Sequence, residues 1–441
     1  MKKYDLIVIG TGSTGATVAY MAKDVKWKVA IIDSLPFGGT CALRGCDPKK
    51  ILVGAAEIVE RGIGMKNRGI LKIPKLNWSD LMKLKNSFTD PIPKSNESAF
   101  RKAGIDTYKG QAIFFDKNKI KVKNNELEGK YIVIATGSTP RKLNILGEEF
   151  ITKSDEFLEL KKLPKEIIFA GGGYVSFELA HIAALAGAKV KIIHRSDKVL
   201  KQFDRDLVKM LVKEFNEIGI KIILNSSVKS IERKGNKLIL KAGNKTYKTD
   251  MIVHGAGRVP NIEDLKLEKA NVKSNEKGVM VNSYLQTSNP KIYAGGDVAT
   301  RGLPLTPVAG LQGRIIGNNL LNKSKVKFDG SITVSVVFTY PPLASVGLTE
   351  EEAKKRRIKY KKKFAETSSW YNPRRIGLKN SGYKILVDKK NKILGAHLLY
   401  PNSDEIINLF LFAMKNSMKS EEIKDYLMAY PSSSYDIKYM V

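Results

Sequence analysis

The sequence is short of cysteine, of acid and of long apolar runs. Only two cysteines, Cys41 and Cys46, occur in 441 residues, which excludes a disulfide-stapled scaffold. No histidine lies near them in the chain, so no zinc set of Cys and His is expected. No apolar stretch approaches the ~20 residues a bilayer-spanning helix needs. The start Met1-Lys2-Lys3 resembles a secretory leader only briefly: Asp5 interrupts it, Leu6–Ile9 is too short, and glycines follow. A cytoplasmic location without membrane association is expected. Low-complexity linkers are also missing.

Acid is outnumbered: Lys and Arg total 76, Asp and Glu 44, for a net charge of +32. Such a charge steers anions and holds polyanions non-specifically. The densest run, KKRRIKYKKK from Lys354 to Lys363, has eight basic residues in ten. It reads as a solvated helix end running into an edge strand, with an acidic partner as the alternative. Ile358, Tyr360 and Phe364 keep an even spacing that suits a half-buried strand. A 43% hydrophobic fraction in this length supports two or three domains.

What the sequence has is one motif twice. Tyr4–Gly10 is an apolar strand that runs into Gly10-Thr11-Gly12-Ser13-Thr14-Gly15, a helical pattern to about Val25, and a second strand, Lys28–Asp33. The order returns at Glu166–Ala170, Gly171-Gly172-Gly173-Tyr174-Val175-Ser176, a helix to about Ala186, and Lys189–Arg195. Each unit predicts a dinucleotide site: glycine for the tight turn, glycine for close approach to a pyrophosphate, a small residue for helix–strand packing, and a helix N-terminus facing the phosphates. Ser176 is a tolerated small residue in the third position. The first unit ends in Asp33, suited to a ribose hydroxyl. The second ends in His194 and Arg195, with Lys198 and Lys201 following, which favours a 2′-phosphate and therefore NADPH over NADH. Further buried strands with glycine-rich ends are expected at Tyr131–Gly137, Asp250–Gly257 and Lys291–Asp297. Beyond about residue 328, strands (Ile332–Tyr340, Tyr383–Asp388) alternate with helices (Thr349–Arg357, Asp404–Asn416), the pattern of a separate α+β domain.

The two cysteines lie just after the first unit, in Gly38-Gly39-Thr40-Cys41-Ala42-Leu43-Arg44-Gly45-Cys46-Asp47-Pro48-Lys49-Lys50. A local pair on a nucleotide-binding domain points to dithiol redox work: hydride reaches a flavin, the flavin reduces a disulfide, one thiol attacks substrate and the other resolves the mixed disulfide. Arg44, Lys49 and Lys50 lower thiol pKa values and Asp47 opposes them.

With GTGSTG, GGTCALRGCDPKK, ATGSTP, GGGYVSFE, GAGRVPN, YAGGDVA and LTPVA in this order, the whole chain resembles the class I pyridine nucleotide–disulfide oxidoreductases, the family of glutathione reductase, lipoamide dehydrogenase and mercuric reductase. The resemblance implies an α/β fold with two Rossmann-like dinucleotide-binding domains plus a C-terminal α+β dimerisation domain. Residues 1–142 with 272–326 would bind FAD, 143–271 the NAD(P)H, and 327–441 would form a homodimer. It implies Cys41 as interchange thiol, Cys46 as the thiol against the flavin, and Lys49 or Lys50 as the ammonium paired with Glu178. FAD contacts are implied at Gly10, Gly12, Ser13, Gly15, Asp33, Gly39, Thr40, Thr136, Gly137, Asp297 and Thr306, and nicotinamide-nucleotide contacts at Gly171, Gly173, Tyr174, Arg195, Lys201 and Gly257. Thr306-Pro307 also reads by itself as an N-cap followed by a first-turn proline.

The chain departs from the family at its C-terminal segment. Most relatives supply a His-Pro segment closing with Glu from the partner subunit, and that His is the acid–base. Here Tyr430-Pro431 and Tyr435 stand in those places, and no histidine follows His397. Tyrosine titrates near ~10 against ~6.5 for histidine, so it donates a proton but is a poor base. A reactive acceptor is therefore expected: an activated disulfide, a sulfenyl-type oxidant, a metal ion or a quinone. The end, SYDIKYMV, has no thiol, against the second cysteine pair of mercuric reductases. Arg314 matches a glutathione-contacting position, while Tyr20 stands where a second such Arg is found. Trp370, Tyr371, Arg374 and Arg375 read as structural. Two other readings compete: a thiol-independent NADPH diaphorase or quinone reductase, and a basic nucleic-acid-binding module on the same fold. The first reading expects neither nucleic acid nor a structural metal.

Overall fold

In the computed structural model, which describes residues 1–322 and 325–441, the chain divides into two compact units. The first comprises Met1–Pro48, Asn86–Arg141 and Arg258–Gly330; the second comprises Lys49–Lys85, Lys142–Gly257 and Ser331–Val441.

The first unit is built on a seven-stranded sheet. Lys2–Ile9 lies between Val29–Asp33 and Asn125–Ile134, parallel to both, with Leu6 opposite Val29 on one side and Tyr131 on the other. Ile292–Ala294 adds in parallel to Asn125–Ile134. The parallel pairs require crossovers, and Ser13–Asp24 is the first crossover helix. Near-continuous apolar runs follow from burial on both faces. Ile7, Ile9, Ile32, Ile132 and Ile134 pack in one core, while Leu6, Val8, Ile31 and Val133 pack in another with Val18 and Ile316.

In the second unit, four parallel strands run in the order Lys221–Ile223, Lys189–Ile193, Glu166–Ala170 and Met251–His254. Its helix Tyr174–Leu185 is buried along most of its length. A three-stranded antiparallel sheet, Val228–Lys234, Lys237–Ala242 and Lys245–Thr249, belongs to the same unit. So does a five-stranded antiparallel sheet ordered Val334–Val337, Leu343–Gly347, Ile393–Leu399, Gly382–Val387 and Lys361–Glu366.

Three local expectations are corrected. The strand expected over 332–340 is only Val334–Val337: the Phe338 and Thr339 amides turn to Glu178 and to the Val337 carbonyl, and Pro341 and Pro342, which follow Tyr340, have no N–H to extend a ladder. Thr349 is not helical: it caps Glu350–Lys355, its hydroxyl accepting from the Glu352 amide at 3.2 Å while Glu352 reaches back. The basic run does end that helix and enter the edge strand Lys361–Glu366, but Ile358 and Tyr360 precede the strand and Phe364 is 42% exposed. Ile358 and Tyr360 are half-buried between exposed neighbours as the spacing expects, whereas the exposed Phe364 ring receives the Lys384 ammonium at 5.5 Å.

Candidate active site

The first glycine loop separates packing from binding. A side chain on Gly10, at φ +110°, would put Cβ 2.2 Å from the Ala135 carbonyl oxygen. One on Gly15 would stand 2.0 Å from the Gly10 oxygen. Both are therefore demanded by close backbone approach. A Cβ built on Gly12 would meet nothing within 4 Å, and Gly12 caps Ser13–Asp24 without a side-chain hydrogen bond. The loop thus keeps free space at a helix N-terminus, the arrangement that takes a phosphate. Gly39, at φ +74°, passes so near that its Cβ would meet the Gly12 Cα at 2.6 Å; Thr40 follows it, exposed.

Asp33 is held by the loop it serves. Its Oδ2 accepts from the Thr11 amide (2.9 Å) and hydroxyl (2.6 Å), and Oδ1 accepts from the Leu35 amide at 2.9 Å. On the return strands, Thr136 donates to the Asn261 carbonyl at 2.7 Å, and Gly137 turns the chain at φ +67°. Asp297 accepts from the Ser138 hydroxyl at 2.9 Å, and Ser138 accepts from Arg258 Nε at 2.9 Å. Ser138 and Arg258 were unassigned in the sequence reading, although both lie inside its motifs. Gln312, fully buried, was missed entirely: it accepts from Gly296 N (2.7 Å) and donates to Arg301 O (2.8 Å), fixing the turn before Asp297.

The second loop repeats the scheme with substitutions. Gly171, at φ +124°, would collide with the Gly255 oxygen at 2.1 Å, whereas Gly173 meets only that oxygen, at 3.7 Å. Ser176 fits because Gly255 lacks a side chain: its Oγ lies 1.9 Å from where a Gly255 Cβ would stand. Tyr174, 36% exposed, opens the helix directly after the glycines. Gly257, at φ +108°, has open space beside it. Of the four expected cations, two turn to structure. His194 Nε2 lies 3.0 Å from both Lys198 O and Ser196 Oγ, and burial lowers its pKa. Lys198 pairs with Glu351 at 3.0 Å. Arg195 and Lys201 stay exposed.

The two cysteines are thiols, Cys41 half-buried in the short helix Gly39–Arg44 and Cys46 exposed as the first residue of Cys46–Gly64. Cys46 Sγ lies 3.5 Å from Thr306 Oγ1, and Cys41 Sγ lies 3.9 Å from Asp47 Oδ1. The Cys41 thiol is held well above its ordinary pKa, first by its hydrogen bond to Cys46 and then by burial, with Thr306 opposing. Thr306 is not the N-cap expected; Leu305 is, and Thr306 is the first residue of Thr306–Leu321. Its hydroxyl, freed from capping, faces the thiol at the positive end of that helix.

The choice between the two lysines is settled by burial. Lys49 Nζ donates to Glu178 Oε1 at 2.9 Å with both side chains nearly inaccessible, and Glu178 also accepts from Phe338 N at 2.9 Å. Lys50, one position on and about 100° around the helix, pairs instead with Asp404 (3.3 Å) and Glu57 (3.9 Å), its ammonium 4.3 Å from the Phe338 ring centre. Tyr430, 72% exposed, precedes a cis proline and meets Tyr435 edge-on at 4.8 Å. Lys438 donates to the Tyr435 hydroxyl, which lowers the pKa of Tyr435. Tyr20 stacks on Phe100 at 5.1 Å, and Arg314 is exposed on Thr306–Leu321. Trp370 packs against Tyr383, Tyr400 and Tyr439. Among the described residues no cluster of His, Cys, Asp and Glu is disposed to hold a metal, and no helix is long and apolar enough to cross a membrane.

Comparison with known proteins agrees with this geometry. The pyridine nucleotide-disulphide oxidoreductase family matches residues 4–313, and its dimerisation domain matches 333–441. The chain is 32% identical to trypanothione reductase of Trypanosoma congolense over 99% of its length and 95% of the relative's. It is 32% identical to glutathione reductase of Nostoc sp. over 98% of both, and 30% identical to mercuric reductase of Staphylococcus aureus over 99% of the chain and 81% of the relative. Among solved structures, the HOCl-induced flavoprotein disulfide reductase RclA from Escherichia coli superposes with a TM-score of 0.90 at 28% identity, covering 99% of each chain. Its Cu(II) complex superposes at 0.91, covering 100% of this chain and 99% of that one. The chain belongs to the class I pyridine nucleotide–disulfide oxidoreductases, the NAD(P)H-dependent flavoprotein disulfide reductases.

Proposed function

We propose that this enzyme is an NADPH-preferring homodimer that reduces a reactive, thiol-directed acceptor through Cys41 and Cys46. Residues 1–142 and 272–326 hold FAD, 143–271 hold NADPH, and 327–441 pair the subunits. The observation that carries the reading is the local pair of free thiols, with Cys46 Sγ 3.5 Å from Thr306 Oγ1, in a chain whose acid–base position holds Tyr430.

FAD, when bound by residues 1–142 and 272–326, would supply two-electron transfer from the nicotinamide nucleotide to the Cys41–Cys46 disulfide. The protein's own groups do the rest. Cys41, deprotonated, attacks one sulfur of the acceptor, forming a mixed disulfide and expelling the other sulfur as a thiolate. Cys46 then attacks the Cys41 sulfur, releasing the second thiolate and restoring the disulfide. The partner subunit's Tyr430 hydroxyl hydrogen-bonds the departing group without abstracting the Cys41 proton. A Cys41 thiol raised in pKa and lacking a histidine base attacks slowly, so turnover requires an acceptor with a good leaving group, an oxidant that reacts with thiols directly, or a thiophilic metal ion. Relatives described as HOCl-induced, as a Cu(II) complex and as a mercuric reductase support that class. Arg195 and Lys201, exposed at the end of the second unit's strand, support the 2′-phosphate.

Anaerobic NADPH titration of the holoenzyme should expose two alkylatable thiols. An acceptor screen should rank activated disulfides, hypochlorite-derived oxidants and thiophilic metal ions above oxidised lipoamide. Tyr430→Phe should lower turnover about 2–10-fold, the range for loss of one hydrogen bond. Lipoamide reduced as fast as the best acceptor, with Tyr430→Phe fully active, would remove the basis for the reading. Quinone turnover that survives Cys41→Ser and Cys46→Ser, with no thiol-dependent acceptor, would favour the diaphorase alternative.

A further inference from the structure

Within the second unit lies a cavity of about 630 Å³ that the redox chemistry does not use. One wall is the C-terminal end of the helix Cys46–Gly64, another is the end of Arg205–Glu217, and the third is the stretch 368–379. The walls are pinned by backbone contact: a Cβ on Gly377, at φ +72°, would stand 2.1 Å from the Gly64 carbonyl oxygen. The opening between them is therefore part of the fold.

Its interior is acidic. Glu60, 4% exposed, and Glu214, 7% exposed, both line it. Most of the carboxylate capacity is taken. Glu60 Oε2 meets His181 Nε2. Glu214 Oε2 accepts from Asn380 at 2.6 Å, and Glu217 pairs with Lys379 at 3.0 Å. Burial pushes the Glu214 carboxyl up in pKa, which weakens its claim on a cation. One buried atom on the lining residues is left without a hydrogen-bond donor: Glu60 Oε1. A buried carboxylate oxygen left without a donor carries an uncompensated desolvation penalty, so this oxygen marks where a donor belongs. The rim carries net positive charge: Lys66, Arg68 and Arg374 line the cavity and are exposed, while the exposed Glu217 there is paired with Lys379 at 3.0 Å.

We propose that this cavity binds a small zwitterion, an amino acid or short peptide, with its ammonium on Glu60 Oε1 and its carboxylate on the Arg374 and Arg68 side of the rim. The charge order from depth to surface rejects the alternatives. A simple anion meets a buried carboxylate at the floor, a polyamine leaves its outer ammonium groups among three cations, and a cation alone gains nothing from the rim. The volume suits a ligand of dipeptide to tripeptide size.

Titration calorimetry on the flavin-loaded enzyme tests this with triglycine, N-acetyltriglycine and triglycinamide as probes. Triglycine should bind saturably, and removing either terminal charge should weaken binding at least about tenfold, the loss expected for one charge-assisted hydrogen bond. Glu60→Gln and Arg374→Ala should each produce a similar loss. Should Glu60→Gln fail to fold, the surface variant Arg374→Ala combined with Arg68→Ala decides alone. Equal affinity for all three probes, affinity unchanged in the rim variants, or no saturable binding of triglycine to 10-fold above its expected millimolar range overturns the assignment.

Discussion

The two glycine loops have one ancestry of design and two divisions of labour. In the first, Gly10 and Gly15 satisfy contacts near 2 Å and Gly12 faces open space; the acid that closes the unit, Asp33, is bound on both oxygens by the Thr11 and Leu35 amides and the Thr11 hydroxyl. In the second, the third glycine has become Ser176, compensated by Gly255. There the first residue after the strand, His194, is consumed by local hydrogen bonds while its neighbour Arg195 is left outside. A loop that must grip a neutral hydroxyl fixes its acceptor in advance. In the second loop the cations Arg195 and Lys201 are instead left exposed at the surface, where an Arg is free to fork onto two oxygens of an anion.

The comparison breaks most severely at the packing glycines. Gly15→Ala should destabilise the protein by about 3 kcal/mol, the upper range for overpacking, because backbone rather than a flexible side chain blocks the methyl. Ser176→Gly should cost no more than about 1 kcal/mol. Denaturant melts of the two variants measure the contrast, and equal costs would show that the loops do not differ in this way. Gly12→Ala, whose added methyl meets nothing, should leave the melting of the flavin-free protein unchanged while weakening FAD binding about tenfold by occupying phosphate space; fluorescence titration of FAD reads it.

Arg195→Glu should shift the ratio of kcat/KM for NADPH over NADH by about tenfold or more toward NADH. Lys198→Ala, whose ammonium is already engaged by Glu351, should shift it far less. A ratio unmoved by Arg195→Glu would remove the 2′-phosphate assignment. The smallest effect concerns pH. Burial lowers the His194 pKa in the folded state, so its contribution is present above the unfolded value and lost as pH falls through ~6.5 and below. Melting temperature should drop by about 1–2 °C more between pH 7.5 and 5.5 in the parent protein than in His194→Asn.

Much of the site was legible because nucleotide loops and redox pairs are local in sequence. Gly10, Gly12 and Gly15 occupy six positions, and Cys41 and Cys46 lie five apart; spacing alone puts such residues on one turn. The misreadings have a common cause. Lys49 and Lys50 are equal in residue type and both ammonium groups lie over the Phe338 ring, at 4.0 and 4.3 Å, so only the buried pairing of Lys49 with Glu178 distinguishes them. Thr306 reads as a cap by residue type, but the helix begins one residue earlier and spends its hydroxyl on Cys46. Ile358, Tyr360 and Phe364 alternate as a half-buried strand does, but the strand begins only at Lys361, and its edge position leaves Phe364 exposed. Gln312 carries no motif at all, and its role exists only because Gly296 and Arg301 fold back onto it.

By itself the sequence determined the family, the two nucleotide loops and the dithiol, because each depends on residues within a few positions of one another and on backbone conformations that only glycine adopts freely. The tertiary structure decided which lysine is buried with Glu178, which cations remain at the surface of the second loop, and that Glu60 is left one donor short inside a cavity. Those outcomes depend on burial and on partners 100 or more residues away, where the cost of an unpaired charge is set by packing that no local spacing encodes.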